Sequence, residues 1–379
     1  MVFRLSCNHF GYNLIKIFFQ FLTLILVNIS YLNAQWLVQT FSQYNNIIIN
    51  FPNSDTGYFF ERNGNIKKTV NKGNTWNNLD AQIGYLGIGK FSTPNLGVAL
   101  GLPSKLTTNG GESWITISNN FTALGQVNVF DSQFINENIG YHVALDFYPE
   151  PSPCCYDGVV YKSTNSGQNW IEVRLLNGAQ FKEANFKNEN EGIVLEQSSL
   201  DKTTNGGMSW NLNSGISEQV PFFSGQSFTD PFRDTIYIAG HNAGDYAAII
   251  KSTNNGDSFF VSYRATNFSK LRKIFFLDNN IGYAVGDTGL IVHTSNGGTN
   301  WLVQNSGTRK KLNGVSFINK DTGYIVGDSG LILKTFNGGL TEVWQSSVTS
   351  PYNFFLSQNF PNPFNPVTNL EFRIWDLSR

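Results

Sequence analysis

Four carboxylates stand out as residues that could do chemistry: Asp146, Glu150, Asp157 and Asp245. They lie in stretches rich in residues that favour loops and turns. Two opposed carboxylates can hydrolyse a glycosidic bond, one as the acid and the other as the base or nucleophile. The sequence does not give the distance between them, so glycoside hydrolysis is one function that these residues leave open.

The two stretches that hold these carboxylates, "DFYPEPSPCCYDG" (146–158) and "GHNAGDYA" (240–247), form the first candidate binding surface. Proline stiffens the first stretch, and its aromatic rings offer flat surfaces for sugars or protein side chains. The predicted binding residues are Asp146, Phe147, Tyr148, Tyr156, Asp157, His241, Asp245 and Tyr246. The alternative explanation is a tolerated surface insertion without a ligand.

A group of basic residues forms the second candidate surface, and Arg264 lies near it in sequence. Its predicted binding residues are Lys270, Arg272, Lys273, Arg309, Lys310 and Lys311. Pooled into one patch, these charges would suit an acidic partner. The alternative is ordinary solvated charge in two linking segments.

Other kinds of site receive little support. His142, His241 and His293 do not fall at metal-ligand spacing, and no phosphate-binding glycine loop is present, so neither a metal nor a cofactor is predicted. A formal net charge of −1 argues against a general nucleic-acid binder. Cys154 and Cys155 are adjacent, so they form either a strained vicinal disulfide or two free thiols.

A repeated motif indicates how these residues are positioned. "TTNGGESW" at 107–114 returns as "STNSGQNW" at 163–170, "TTNGGMSW" at 203–210 and "TSNGGTNW" at 294–301. Each copy closes a unit of about 40 residues with four short apolar segments, which is typical of a propeller blade. The predicted structural corner residues are Trp76, Asn109, Trp114, Asn165, Trp170, Asn205, Trp210, Asn296 and Trp301.

Weaker copies end at Trp76 and Phe259, and a last, irregular copy is "KTFNGGLTEVW" at 334–344. These seven corners predict an all-β protein, a seven-bladed β-propeller of four-stranded antiparallel blades over residues 35–345, with six or eight blades as the alternatives. "QWLVQ" at 35–39 resembles "NWLVQ" at 300–304, so residues 36–40 are expected to close the ring as an outer strand of the seventh blade. In such a blade the corners share one face. The loops between second and third strands and the links between blades share the other face, which is where both candidate surfaces are predicted.

The motif resembles the Asp-box, or BNR, repeat with Asn at the usual Asp position, and "GYAVGDTGLIVHTSNGGTNW" is similar to photosystem II assembly-factor-like propellers. Sialidases and some glucanases share the box, but the arginine pattern expected of a sialidase is missing. The resemblance implies the fold and is weak evidence for function.

The ends of the chain carry two further expectations. Residues 1–34 are typical of a cleaved secretory signal, so no membrane span is expected after its removal. After a linker at 346–351, residues 352–379 with "PNPFNP" resemble the start of a type IX secretion C-terminal sorting domain, which implies that secretion machinery as a partner and a short β tail.

The sequence as a whole therefore predicts a secreted or outer-surface module that binds an extracellular protein or glycan without catalysis. It would be periplasmic if the short tail is not recognised. A glycoside hydrolase and a cell-envelope assembly factor are the two alternatives.

Overall fold

The computed structural model describes residues 2–7, 36–40, 44, 46–117, 127–147, 156–196, 199–213, 216, 224–232, 234–242, 244–340 and 368–373. The chain forms two compact units, Gln35–Leu340 and a second one made from Met1–Ala34 with Thr341–Arg379. In the second unit, strand β1 (Val2–Cys7) pairs antiparallel with strand β30 (Thr368–Arg373). The rest of the predicted signal, and all of the linker and the "PNPFNP" motif, lie outside the described residues.

The larger unit consists of seven four-stranded antiparallel sheets, as predicted. Blade 1 comprises β3 (Asn46–Asn50), β4 (Gly57–Glu61), β5 (Ile66–Thr69) and β6 (Asn77–Leu79). Blade 2 comprises β7 (Tyr85–Phe91), β8 (Gly97–Leu102), β9 (Lys105–Thr107) and β10 (Ile115–Thr116). Blade 3 comprises β11 (Val127–Phe134), β12 (Gly140–Phe147), β13 (Tyr156–Ser163) and β14 (Ile171–Asn177).

Blades 4 to 6 continue the same order. Blade 4 comprises β15 (Phe181–Phe186), β16 (Gly192–Glu196), β17 (Leu200–Thr203) and β18 (Asn211–Asn213). Blade 5 comprises β19 (Ser224–Phe232), β20 (Thr235–His241), β21 (Tyr246–Ser252) and β22 (Phe260–Phe268). Blade 6 comprises β23 (Leu271–Phe276), β24 (Gly282–Gly286), a 3₁₀ turn (Asp287–Gly289), β25 (Ile291–Thr294) and β26 (Leu302–Gln304).

Blade 7 joins the two ends of the unit. It contains β27 (Leu312–Phe317), β28 (Gly323–Gly327) and β29 (Leu331–Thr335), and its outer strand is β2 (Leu37–Thr40). Strand β2 pairs with β29 in the register Leu37 to Lys334. The first strands of the blades contact one another in the order β3, β7, β11, β15, β19, β23, β27 and back to β3, so the ring is closed.

Each Asp-box corner is stabilised by its own side chains. In blade 2, Thr107 Oγ1 accepts the Gly111 N–H at 2.9 Å, and Asn109 Oδ1 accepts the Ser113 N–H at 3.0 Å. Gly110 and Gly111 have φ of +71° and +88°, a left-handed conformation that glycine adopts without strain. The motif is thus explained by the turn that it builds, as the sequence predicted.

The corner tryptophans pack on the blade that they close. Edge-to-face pairs join Trp76 with Phe51, Trp114 with Phe91, Trp170 with Phe134, Trp210 with Phe186 and Trp301 with Phe276. Some of the ring N–H groups also bond within the corner, as Trp170 Nε1 donates to the Gly167 carbonyl at 2.9 Å. These rings bury the apolar interior of each blade below its corner.

Neighbouring blades are held together by a Tyr and a Lys that reach the next corner. Tyr237 OH and Lys251 Nζ of blade 5 each donate to the Gly297 carbonyl of blade 6 at 2.8 Å. Lys68 does the same for Gly110 at 2.9 Å. Burial raises the pKa of Tyr237 to about 12, so its hydroxyl remains a donor at neutral pH. We call this arrangement the Tyr–Lys clasp.

Two buried histidines give the fold a defined pH dependence. Burial lowers the pKa of both His142, which stacks on the Trp170 ring, and His293. Because the unfolded chain then binds more protons than the native state below a pH of about 6.5, stability should fall as the pH drops through that value.

As the pH falls below about 6, we expect the original chain to lose stability relative to His142→Phe. The difference between their free energies of unfolding should change by up to about 1.4 kcal/mol per pH unit. Phenylalanine keeps the ring against Trp170 but cannot take up a proton. Urea unfolding at several pH values measures this difference, in which all other titrating groups cancel. A difference that stays constant between about pH 7 and pH 5 would contradict the assignment.

Candidate functional site at the mouth of the central channel

The first strands of all seven blades enclose a central channel of about 800 Å³. Its lining contains six basic side chains but only three acidic ones among the described residues. The basic ones are Arg62, Lys90, Lys182, Arg272, Lys273 and Lys311, and the acidic ones are Asp131, Glu183 and Asp328. The channel is therefore cationic.

A layer of oppositely charged side chains, which pair with one another, forms part of the channel lining. Lys273 Nζ of blade 6 reaches over blade 5 to Glu183 of blade 4, and Lys90 Nζ lies 3.7 Å from Asp131 Oδ1. Both carboxylates also accept backbone N–H groups of the following blade, Asp131 from Ala184 at 3.1 Å and Glu183 from Phe228 at 2.9 Å. This layer joins the first strands of different blades, and its ammonium and carboxylate charges largely neutralise one another.

Ionisation within this layer follows from burial and charge. Burial raises the pKa of Asp131, an effect that the nearby Lys90 ammonium only reduces. Burial alone would lower the pKa of Lys273, but the Glu183 and Asp131 carboxylates raise it overall. Lys273 therefore stays an ammonium ion.

Half of the predicted basic patch is already paired. Lys270 Nζ lies 2.8 Å from Asp245 Oδ1, and the Arg272 guanidinium makes two 2.9 Å bonds to Asp287. With Lys273 bound to Glu183, none of these three cations is free for an external partner. The contacts do place the links between blades and the loops between second and third strands on one face, as predicted.

The other half of the patch keeps its charge. Arg309 and Lys310 are exposed and Lys311 is half-buried, and among the described residues none of them forms an ion pair. The Lys311 carbonyl accepts the Asp328 N–H at 3.0 Å, which fixes the link against the loop of blade 7. Because Lys311 also lines the channel, this link forms one side of the channel mouth.

Three further cations at the channel, Arg62, Lys90 and Lys182, were missed by the sequence analysis. Arg62 donates to Tyr85 OH at 2.6 Å, and Lys182 Nζ donates to Gln180 Oε1 at 3.0 Å and lies 5.9 Å from the Phe130 ring centre. Burial lowers the pKa of Lys182. The available signal for Lys182 was a charged residue in a first strand, whereas Arg62 follows the second strand of blade 1 and carried no such signal.

The first predicted loop surface is described only in part. Asp146 and Phe147 end β12, and they pair in register with Asp157 and Tyr156 of β13. Asp157 is buried and accepts the Gly178 N–H at 3.0 Å. Glu150, Tyr148, Cys154 and Cys155 lie outside the described residues.

The second predicted loop is not expanded, which corrects the sequence interpretation. Only residues 242–245 separate β20 from β21, and blade 6 has a connection of the same length. The extra residues lengthen the strands of blade 5 instead. Strands β20, β21 and β22 have seven, seven and nine residues, whereas β24, β25 and β26 of blade 6 have five, four and three.

The residues of this second stretch form a small polar and aromatic cluster. His241 Nδ1 lies 3.5 Å from Asp245 Oδ1, and Tyr246 stacks on Phe268 with ring centres 4.8 Å apart. The Lys270 hydrogen bond lowers the pKa of Asp245, and burial lowers that of His241.

The described residues contain no group of three or more His, Cys, Asp or Glu side chains placed to hold a metal ion. No helix in the described part of the chain has the length and apolarity needed to span a membrane.

Comparison with known proteins identifies related propellers. The family model of photosynthesis system II assembly factor YCF48 matches residues 261–349. No curated protein sequence matches the chain significantly.

Solved structures agree with the fold. YCF48 bound to D1 peptide is 15% identical with a TM-score of 0.61, over 80% of this chain and 97% of that one. YCF48 from Cyanidioschyzon merolae is also 15% identical, with a TM-score of 0.57 over 79% and 98%. An ancestral GH74 enzyme is 13% identical with a TM-score of 0.59, over 81% of this chain but 46% of the enzyme.

At such identities these structures establish the fold alone, while the sequence match is confined to the end of the ring. The chain is thus a seven-bladed β-propeller that resembles the YCF48-type assembly factors, most directly in blades 6 and 7.

Proposed function

We propose that the propeller is a non-catalytic binding module for an acidic protein segment, which docks at the mouth of the central channel. The observation that carries this proposal is the cationic link of Arg309, Lys310 and Lys311, which has no ion pair among the described residues. A carboxylate of a partner would gain attraction there without displacing an existing partner.

The charge around this link favours an anion. Lys311 shares the channel with Arg62 and Lys182, neither of which contacts a carboxylate in the described part of the chain. A cleft lined mainly by one sign of charge raises the local concentration of oppositely charged ligands.

A protein ligand is favoured over a glycan by a structural neighbour. One YCF48 structure, similar in fold to this chain, was solved with a bound D1 peptide. An assembly role at the cell envelope would be a more specific form of the same proposal.

Glycoside hydrolysis is less well supported by the described carboxylates. Asp157 is bonded to the Gly178 N–H and Asp245 to Lys270, while the channel carboxylates Asp131 and Glu183 each face an ammonium group. A hydrolytic pair needs one carboxyl group that can give a proton to the substrate and a second one that is free to act on it.

Export remains part of the proposal. The predicted signal at 1–34 and the sorting motif at 361–366 support a secreted or outer-surface protein that uses type IX secretion machinery. These segments lie almost entirely outside the described residues.

Charge reversal of the link tests the binding proposal. We expect Lys310→Glu/Lys311→Glu to lower the affinity for a fluorescent oligo-glutamate peptide by at least about tenfold, because two attractions become repulsions. Fluorescence anisotropy measures the affinity, and binding to the original chain should weaken as salt is added.

Lys320→Glu is the matched control, because Lys320 is an exposed lysine at the turn between the first and second strands of blade 7, on the opposite face. It should leave the affinity nearly unchanged. Equal losses in both variants, or no binding by the original chain, would contradict the proposal.

A further inference from the structure

Lys182 differs in its surroundings from Lys90 and Lys273, two ion-paired lysines of the channel. Lys90 and Lys273 face carboxylates, with Lys90 Nζ 3.7 Å from Asp131 and Lys273 bonded to Glu183. The Lys182 ammonium instead contacts the neutral amide oxygen of Gln180 at 3.0 Å and the Phe130 ring. The amide oxygen and the ring favour the ammonium ion less strongly than a carboxylate would.

The position of Lys182 also exposes it to ligands. Its half-buried side chain lines the channel together with Lys311, which has no ion pair among the described residues, so anions that enter would gather close to both. In a cationic, partly desolvated cavity a lysine has a larger fraction of neutral amine than it has in water, and neutral amine is the form that attacks carbonyl groups.

We propose that Lys182 is a covalent modification site, at which its amine condenses with anionic carbonyl compounds that enter the channel. This site shares the channel with Lys311 of the proposed binding link, but its chemistry does not require that an acidic protein segment binds there.

The chemistry is that of imine formation. The nitrogen lone pair of the neutral amine attacks the carbonyl carbon, and a proton passes from nitrogen to oxygen to give a carbinolamine. Loss of water then forms the C=N bond. Burial, which lowers the pKa of Lys182, enlarges the fraction of neutral amine available for the first step.

Pyridoxal phosphate is a suitable probe because it is an aldehyde that carries negative charge. We expect brief treatment of the full chain, followed by reduction with borohydride, to label Lys182 at least about tenfold faster than Lys90 or Lys273. Peptide mapping by mass spectrometry measures the modified fraction of each lysine in the same sample.

Three variants sharpen this test. Lys182→Met should abolish the main adduct, and Gln180→Glu, which places a carboxylate beside the amine, should slow labelling by about tenfold while the lysine remains. Lys311→Met should slow labelling by pyridoxal phosphate but not by pyridoxal, which lacks the phosphate.

The alternative outcomes are distinct. Labelling spread over exposed lysines such as Lys310 and Lys320, or equal rates at Lys182 and the ion-paired channel lysines, would overturn the proposal. So would an unchanged rate at Lys182 in folded Gln180→Glu. The unsubstituted chain alone already provides the comparison among lysines, so the test does not depend on whether a variant folds.

Discussion

Trp36→Ala is expected to lower the free energy of unfolding by about 3–5 kcal/mol, the usual cost of truncating a buried aromatic side chain. Trp36 is only 5% exposed and packs edge-to-face on Phe317 with ring centres 5.9 Å apart. Its Nε1 donates to Gln304 Oε1 at 3.0 Å, and Gln304 in turn donates to the Gly338 carbonyl. The substitution therefore removes the apolar packing of Trp36 in blade 7 and its hydrogen bond to Gln304 of blade 6.

Chemical denaturation followed by tryptophan fluorescence and circular dichroism measures this loss. The matched control is Val38→Ala, since Val38 lies on the same closing strand but is 56% exposed. The control should change stability by no more than about 0.5 kcal/mol. Similar small losses in both variants would show that β2 contributes little to ring closure.

Arg174→Met is expected to destabilise the protein by a similar amount, about 3–5 kcal/mol, because it leaves a buried charge without its partner. Arg174 of blade 3 makes bonds of 3.1 and 2.6 Å to Asp201 Oδ2 of blade 4. The Asp201 side chain is fully buried, whereas that of Arg174 is 21% exposed.

Because Asp201 is more deeply buried than Arg174, the two single substitutions should lower the free energy of unfolding by different amounts. Asp201→Asn should cost less than Arg174→Met, because the remaining guanidinium can still reach water. The double variant Arg174→Met/Asp201→Leu should be more stable than Arg174→Met, since no buried charge remains. Urea unfolding of all four proteins measures these differences in the free energy of unfolding.

The pH dependence of Arg174→Met has a defined sign. Burial already raises the pKa of Asp201 despite the Arg174 hydrogen bonds, and loss of the arginine raises it further. Because the folded variant can then neutralise Asp201 by taking up a proton, the destabilisation should shrink as the pH falls from about 7 towards about 4. A loss that is constant with pH would contradict this account.

The sequence predicted the fold because its signals are local. An Asp-box corner such as Thr107–Trp114 satisfies its own hydrogen bonds, so eight residues are enough to identify the turn. The similarity of residues 35–39 to 300–304 likewise predicted the closing strand correctly. Repetition made each of these patterns visible several times.

The site was harder to predict because pairing across the ring is not local. Lys273 and Glu183 are 90 positions apart, and nothing in the sequence indicates that they meet over an intervening blade. The basic patch therefore looked twice as large as its free part. The Tyr–Lys clasp was missed for the same reason, since its Tyr and Lys occur together in blades 1, 3, 5 and 7 but contact the next blade.

Closure through β2 has a consequence for the order of folding during synthesis. Leu37 is made early, but its partner Lys334 appears only when almost the whole ring has left the ribosome. Until then the closing strand has no partner, and blade 7 cannot be completed however well the intervening blades have formed. The chain must therefore pass through an open arc with two unpaired ends, and unpaired strand edges of this kind favour aggregation.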